Sequence, residues 1–201
     1  MFAGIKFLLS PRGDKIIGFL AQSDLDESKE KAKIVSLDLM TIGQEYQGQK
    51  YSEAFYCLAV AQKDVDAFVE LSFIAPAIKS RLKVSKEMGL ISYIGGNEEG
   101  ILKKKGDEKN QARLKEIYDK FKKTFDKDEV LMEGELPEGF MKWEPECAMS
   151  KLSKEEVDKY IKQDDPLYPF FMEHLTLQEK ESDGVVYPIV VTIRQQLESK
   201  T

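Results

Sequence analysis

His174, Cys57 and Cys147 are the residues whose types best suit nucleophilic or acid–base chemistry. A thiol beside an imidazole is the pairing such chemistry needs, so Cys147 or Cys57 with His174 is the hydrolase or transferase constellation to weigh. Neither cysteine carries a local nucleophile signature. Cys57 lies in the run AFYCLAVA, the setting of a small buried hydrophobe. His174 lies in FFMEHLTL, apolar on both sides, where a single histidine packs or caps more readily than it catalyses. The cysteines form no CxxC pair, which argues against a zinc site and against a disulfide framework.

Other polar clusters are weaker still. Asp24-Leu25-Asp26-Glu27 has carboxylates but lacks the glycine and distal glutamate of a calcium loop. Gly95-Gly96-Asn97-Glu98-Glu99-Gly100 is glycine-rich, but its central acids would repel phosphate, so it reads as a hairpin turn. No cofactor or metal is expected. The triplet Arg12-Gly13-Asp14 matches an integrin-ligand string, yet Gly and Asp are also what a hairpin loop requires. Lys103, Lys104, Lys105, Lys109, Arg113, Lys115, Lys120, Lys122 and Lys123 crowd one stretch with acids between them. A solvated helix face is the plain reading, and contact with an anionic membrane surface the sharper one.

The chain has 201 residues, 42% apolar and 33% charged, enough for one medium domain or two small ones. Thirty-six acids against thirty bases give a net charge of -6, which argues against a general nucleic-acid binder. No apolar run approaches the roughly 18 residues of a membrane span. The N-terminal run is broken by Lys6 and stopped by Pro11, unlike a secretory signal. A cytoplasmic protein, at most peripheral to a membrane, is expected.

The elements that must position these residues follow from periodicity and turn chemistry. Residues 1–21 read as a β-hairpin around Ser10-Pro11-Arg12-Gly13-Asp14. Residues 24–42 carry a helical stripe (Leu25, Ala32, Val35, Leu39, Ile42) and also a strand alternation at Val35, Leu37 and Leu39, and the helix is favoured. Residues 44–53 are polar, a loop or short strand. AFYCLAVAQ (54–62) reads as a buried strand, and 64–83 as a buried helix kinked or split at Pro76. Residues 88–94 suggest another strand. Residues 107–125 form a charged helix with Leu114, Ile117, Tyr118, Phe121 and Phe125 as its apolar stripe. Residues 126–150 are irregular. Ser153 and Glu156 spell a capping box, Asp165-Pro166 starts a further helix, and 185–193 ends the chain's pattern with a strand that Pro188 places at an edge or bulge.

Taken in order, FLLSPRGDKIIGF and AFYCLAVAQKDVDAFVELSFIAPAIKSRL make the first ~85 residues resemble a longin (SNARE-like) domain, as found at the N-termini of clathrin-adaptor and coatomer subunits. The resemblance implies an N-terminal longin-like antiparallel sheet packed by helices over 1–88; with the pattern of the remaining residues, a mainly helical part over 89–201 that ends in a strand, the expected fold is α+β. It also implies a non-enzymatic, protein-binding role in trafficking, with a small GTPase or a coat or adaptor subunit as partner. The expected surface is the hairpin, through Arg12 and Asp14, with the aromatic segment Leu167, Tyr168, Phe170 and Phe171. Two rivals stand beside it: an acidic adaptor or secretion chaperone that binds protein substrates, and a small hydrolase or transferase using Cys147 or His174.

Overall fold

In the computed structural model, residues 4–25, 33–72, 74–102, 108–125, 136–143, 152–180 and 184–194 are described. The fold is mixed α and β, with eight strands and five α-helices among those residues. They form two compact units: Met1–Glu70 with Ser80–Ile91 and Thr192–Thr201, and Leu71–Lys79 with Ser92–Val191.

The first unit opens with an antiparallel meander, β1 (Gly4–Leu9), β2 (Ile16–Asp24) and β3 (Ile34–Ile42). The expected hairpin is present. Its turn is closed by Ser10 Oγ donating to the Asp14 carboxylate at 2.6 Å, and Gly13 takes φ 72°, a conformation cheap only for glycine. The chain then forms a 3-10 turn (Gln44–Tyr46) and α1 (Tyr51–Val60), and returns as β4 (Ala67–Leu71), parallel to β3. A parallel return needs such a crossover, and here the helix supplies it. Helix α2 (Ala75–Glu87) follows, and its part from Ser80 onward belongs to this unit. The core lies on one face of the sheet: Leu20, Val35, Leu37 and Phe68 from the strands meet Phe55, Tyr56, Ala59, Val60 and Val84 from the helices.

Three expectations for this region are corrected. Residues 34–42 are strand, not helix, because the Val35–Leu37 alternation is what buries against α1. Residues 54–60 are helix, not strand: Phe55, Tyr56, Ala59 and Val60 are buried while Leu58 is 61% exposed, a one-sided helical stripe. The single helix expected over 64–83 is a strand followed by a helix. Pro76 sits in the first turn of α2, where its missing N–H leaves no bond unmade.

The second unit centres on β8 (Val185–Arg194), whose residues up to Val191 belong to it. β7 (Phe140–Trp143) pairs antiparallel with β8, and β5 (Leu90–Ile94) flanks it and turns into β6 (Asn97–Glu98) through Gly95-Gly96. Pro188 therefore lies in a strand flanked on both sides rather than at an edge. It sits opposite Phe140 at the end of the β7 ladder. The expected α3 (Glu108–Phe125) buries Leu114, Ile117, Tyr118 and Phe121. α4 (Lys154–Tyr160) carries the capping box that Ser153 and Glu156 spell, and α5 (Tyr168–Lys180) buries Phe170, Phe171 and His174. Most of the segment 126–150 lies outside the described residues.

Candidate functional site

The feature with the clearest capacity to hold a ligand is a fork in the first unit. Parallel pairing of β3 with β4 covers Ile34–Ala67, Val35–Phe68 and Ser36–Val69, and then stops. β3 itself continues to Ile42, still paired with β2 on its other side. The cause is local. On β2, Ala21 pairs with Leu39 and the next residue, Gln22, with Leu37, so Asp38 is an extra residue, a β-bulge. A bulge bends its strand and ends regular pairing, and this one comes just past the last β3–β4 rung at Ser36. The Asp38 carboxylate is fixed by hydroxyl donors from Ser36 (2.5 Å) and Ser23 (2.6 Å). Past the bulge, β3 and β4 share no further rung.

The carboxyl end of β3 leads into the loop that starts α1. Gly43 donates its N–H to Ile17 O at 2.8 Å, and Gln47 Nε2 donates to Ile42 O at 3.2 Å, which ties the loop back to the strands. Gly48 has φ 78° and Lys50 φ 62°. Lys50 is the residue before α1, and its side chain does not cap the helix; Glu53 stands in the first turn. Uncapped N–H groups at a helix start favour anions, and the dipole adds to this. Tyr46 and Tyr51 meet edge to face across the loop, with ring centroids 6.0 Å apart.

Below the fork lies a buried polar cluster. Glu70, next after the last β4 residue paired with β3, is ion-paired with Arg81 of α2 at 2.5 Å, and both side chains are almost wholly buried. The Arg81 guanidinium also stands 5.1 Å over the ring of Tyr56 on α1. Tyr56 Oη shares a hydrogen bond with Thr192 Oγ1 at 3.0 Å. Burial pushes the Tyr56 phenol up to about 12, so it stays protonated. Burial works against the Arg81 cation, but the adjacent carboxylate outweighs it and holds the guanidinium above its ordinary range. Burial likewise pushes Glu70 up, and Arg81 opposes that push.

The residues singled out from the sequence are placed differently. Arg12 and Asp14 are exposed in the hairpin turn of the first unit. Leu167, Phe170 and Phe171 are buried in the second unit, the core-packed alternative to an exposed anchor, and Tyr168 spends its hydroxyl on Asp158 at 2.9 Å. Cys147 lies outside the described residues. His174 is buried beside Phe140 and Phe170, with Nε2–H donating to Val186 O at 2.6 Å. Burial lowers its pKa, and the Val186 bond only partly offsets this, so the ring is neutral and faces no nucleophile among the described residues. Cys57 is half-buried on α1 with its thiol 3.6 Å from Met88 Sδ. Among the described residues no group of three or more His, Cys, Asp or Glu could hold a metal ion, and no helix is long and apolar enough to cross a membrane.

No family model matches the chain. No curated protein matches it in sequence either. Among solved structures, a chain of the NatC complex bound to Gag peptide and CoA is similar at 14% identity, with a TM-score of 0.31. That match covers 42% of this chain and 53% of the other, so it spans about half of the other's length. A likeness at that level carries no argument, and the function of the fork has to be read from its own geometry.

The fork residues were missed because no motif marks them. The available signal was Asp38 inside an apolar alternation, followed at once by the polar, glycine-bearing loop Gln44–Lys50.

Proposed function

We propose that the fork binds an extended, amide-bearing arm that ends in a diphosphate, the chemistry of coenzyme A and its thioesters. The observation behind this reading is the end of the β3–β4 ladder at Ser36–Val69 while β3 runs on past its bulge. Unpaired strand groups need partners. An arm with two secondary amides supplies them as a peptide does when it adds to a sheet edge. The crossover places the start of α1 directly after the carboxyl end of β3, where a diphosphate at the arm's end meets N–H groups and the charge of Lys50. Open α/β sheets hold ligands at the carboxyl ends of their parallel strands for the same reasons.

The test is a calorimetric titration of the whole chain with coenzyme A, acetyl coenzyme A and ATP. Binding of both coenzyme A ligands, with ATP weaker because it lacks the arm, is the expected result. A folded protein that gives no heat with coenzyme A overturns the reading.

A second reading, the non-enzymatic interaction module, is favoured by the outer face of β1 and β2. Ile5 (53%), Phe7 (58%), Leu9 (51%) and Ile16 (61%) are all exposed there, on the outermost strand and its neighbour. In that reading a folded partner, by resemblance a small GTPase or a coat subunit, covers this apolar strip. Phe7→Lys would then abolish co-sedimentation with that partner and leave coenzyme A binding intact. Unchanged co-sedimentation would remove the second reading.

A further inference from the structure

Glu70, Arg81 and Tyr56 carry a role that packing alone does not explain. Glu70 stands on β4 immediately past the last rung shared with β3. Its carboxylate holds Arg81 of α2, and Arg81 in turn lies over Tyr56 of α1. One buried guanidinium thus joins β4, α2 and α1. Tyr56 stands in the second turn of α1, so it fixes the helix whose first N–H groups form the fork's mouth. Ser85, a further turn along α2, is buried next to this group. A buried ion pair is an expensive way to hold a fold, because well-packed apolar residues of similar volume do as well or better. Its advantage is direction: a planar guanidinium with a carboxylate on one side and a ring beneath it fixes both distance and angle.

We propose that the Glu70–Arg81–Tyr56 latch is a positioning device that sets the separation of β4 from β3, and with it the fork's affinity for the arm-bearing ligand. The inference rests on the reading of the fork as a ligand site. All three residues act through the backbone they hold, and none is assigned contact with the ligand.

The test separates positioning from folding. In the double variant Glu70→Leu with Arg81→Met, an apolar pair of similar bulk replaces the ions. The expected result is an unchanged or raised melting temperature, with coenzyme A affinity weakened roughly 10-fold, the size of a typical coupling between linked sites. Unchanged affinity at an unchanged or raised melting temperature overturns the inference. Should the double variant fail to fold, Arg81→Lys decides, because it keeps the charge and loses the planar donor set. Weakened binding at a retained melting temperature supports the latch, and wild-type affinity refutes it. Failure of the unsubstituted protein to bind coenzyme A is a different outcome, and it refutes the fork as a ligand site.

Discussion

Arg194→Met is the most direct test of how α1 is anchored. Arg194 ends β8, and within the first unit its guanidinium reaches the far end of α1 and the turn beyond it. Nε donates to Val65 O at 3.2 Å, and one terminal nitrogen donates to Val60 O at 3.2 Å and Gln62 O at 3.0 Å. These carbonyls lie at and just past a helix terminus, where intrahelical partners run out, and a cation there also meets the negative end of the dipole. Charge-assisted bonds contribute about 1.5–3 kcal/mol each when buried; these are long and only part-buried, so about 1 kcal/mol apiece and about 3 kcal/mol together is the working figure. Methionine keeps the stem and removes every donor. For a chain of this size the loss corresponds to a fall in melting temperature of roughly 6–12 °C. Urea denaturation followed by circular dichroism measures it, with Arg194→Lys as a partner variant that restores one donor. A loss below about 1 kcal/mol, or full recovery by lysine, would mean that the three carbonyls are satisfied without the guanidinium's planar donor set.

Three further outcomes are expected. His174 is held neutral by burial, so its folded-state pKa lies below the ordinary value of 6.5 while the unfolded chain titrates near it. The unfolded state then binds the extra proton, and stability, complete above about pH 6.5, falls below it by up to about 1.4 kcal/mol per pH unit; the urea midpoint of His174→Phe should lose that slope below about pH 6.5, and an unchanged slope would assign it elsewhere. Gly139→Ala should prevent the second unit from folding normally, because at φ 89° its new Cβ would collide with the Gly96 backbone nitrogen; a native near-ultraviolet spectrum would refute this. Ser153→Ala should cost about 1 kcal/mol by removing the hydroxyl half of the capping box, read as a lowered urea midpoint, and no shift would show that α4 starts without it.

The parts of the fold legible in the sequence were those governed by local chemistry. Ser153 with Glu156 specified a cap, and the structure has both of its bonds. The Ser10–Asp14 turn and the α3 stripe were equally local. The parts misread were short apolar runs whose state depends on what they bury against. AFYCLAVA fits a two-sided strand and a one-sided helix about equally well; only the neighbouring sheet, which takes Phe55, Tyr56, Ala59 and Val60 and leaves Leu58 outside, decides. The 34–42 segment has the same ambiguity, and the third strand of the meander resolved it. The resemblance to a longin domain leaned on these segments, whose order in the structure is strand, helix, strand, helix. The fork was least legible, because it depends on a register shift between strands, and register is a property of pairs rather than of either sequence alone.

The bulge at Asp38 behaves, in side-chain terms, like a frameshift in a reading frame. Before it, Val35 and Leu37 pack into the core; after it, Met40 and Ile42 do, while Leu39 and Thr41 turn outward. Read strictly by twos from Val35, the strand would instead bury Leu39 and Thr41 and expose Met40 and Ile42. The extra residue shifts the frame, and the bulge absorbs the shift. Substituting Asn or Ser at position 38 leaves the count unchanged, so the same side chains stay inside. Deleting the residue joins Leu37 to Leu39 and restores simple alternation, with Met40 and Ile42 still facing inward. The core therefore has no need of Asp38, and a chain one residue shorter could keep its packing and lose only the bend. What the extra residue maintains is the fork.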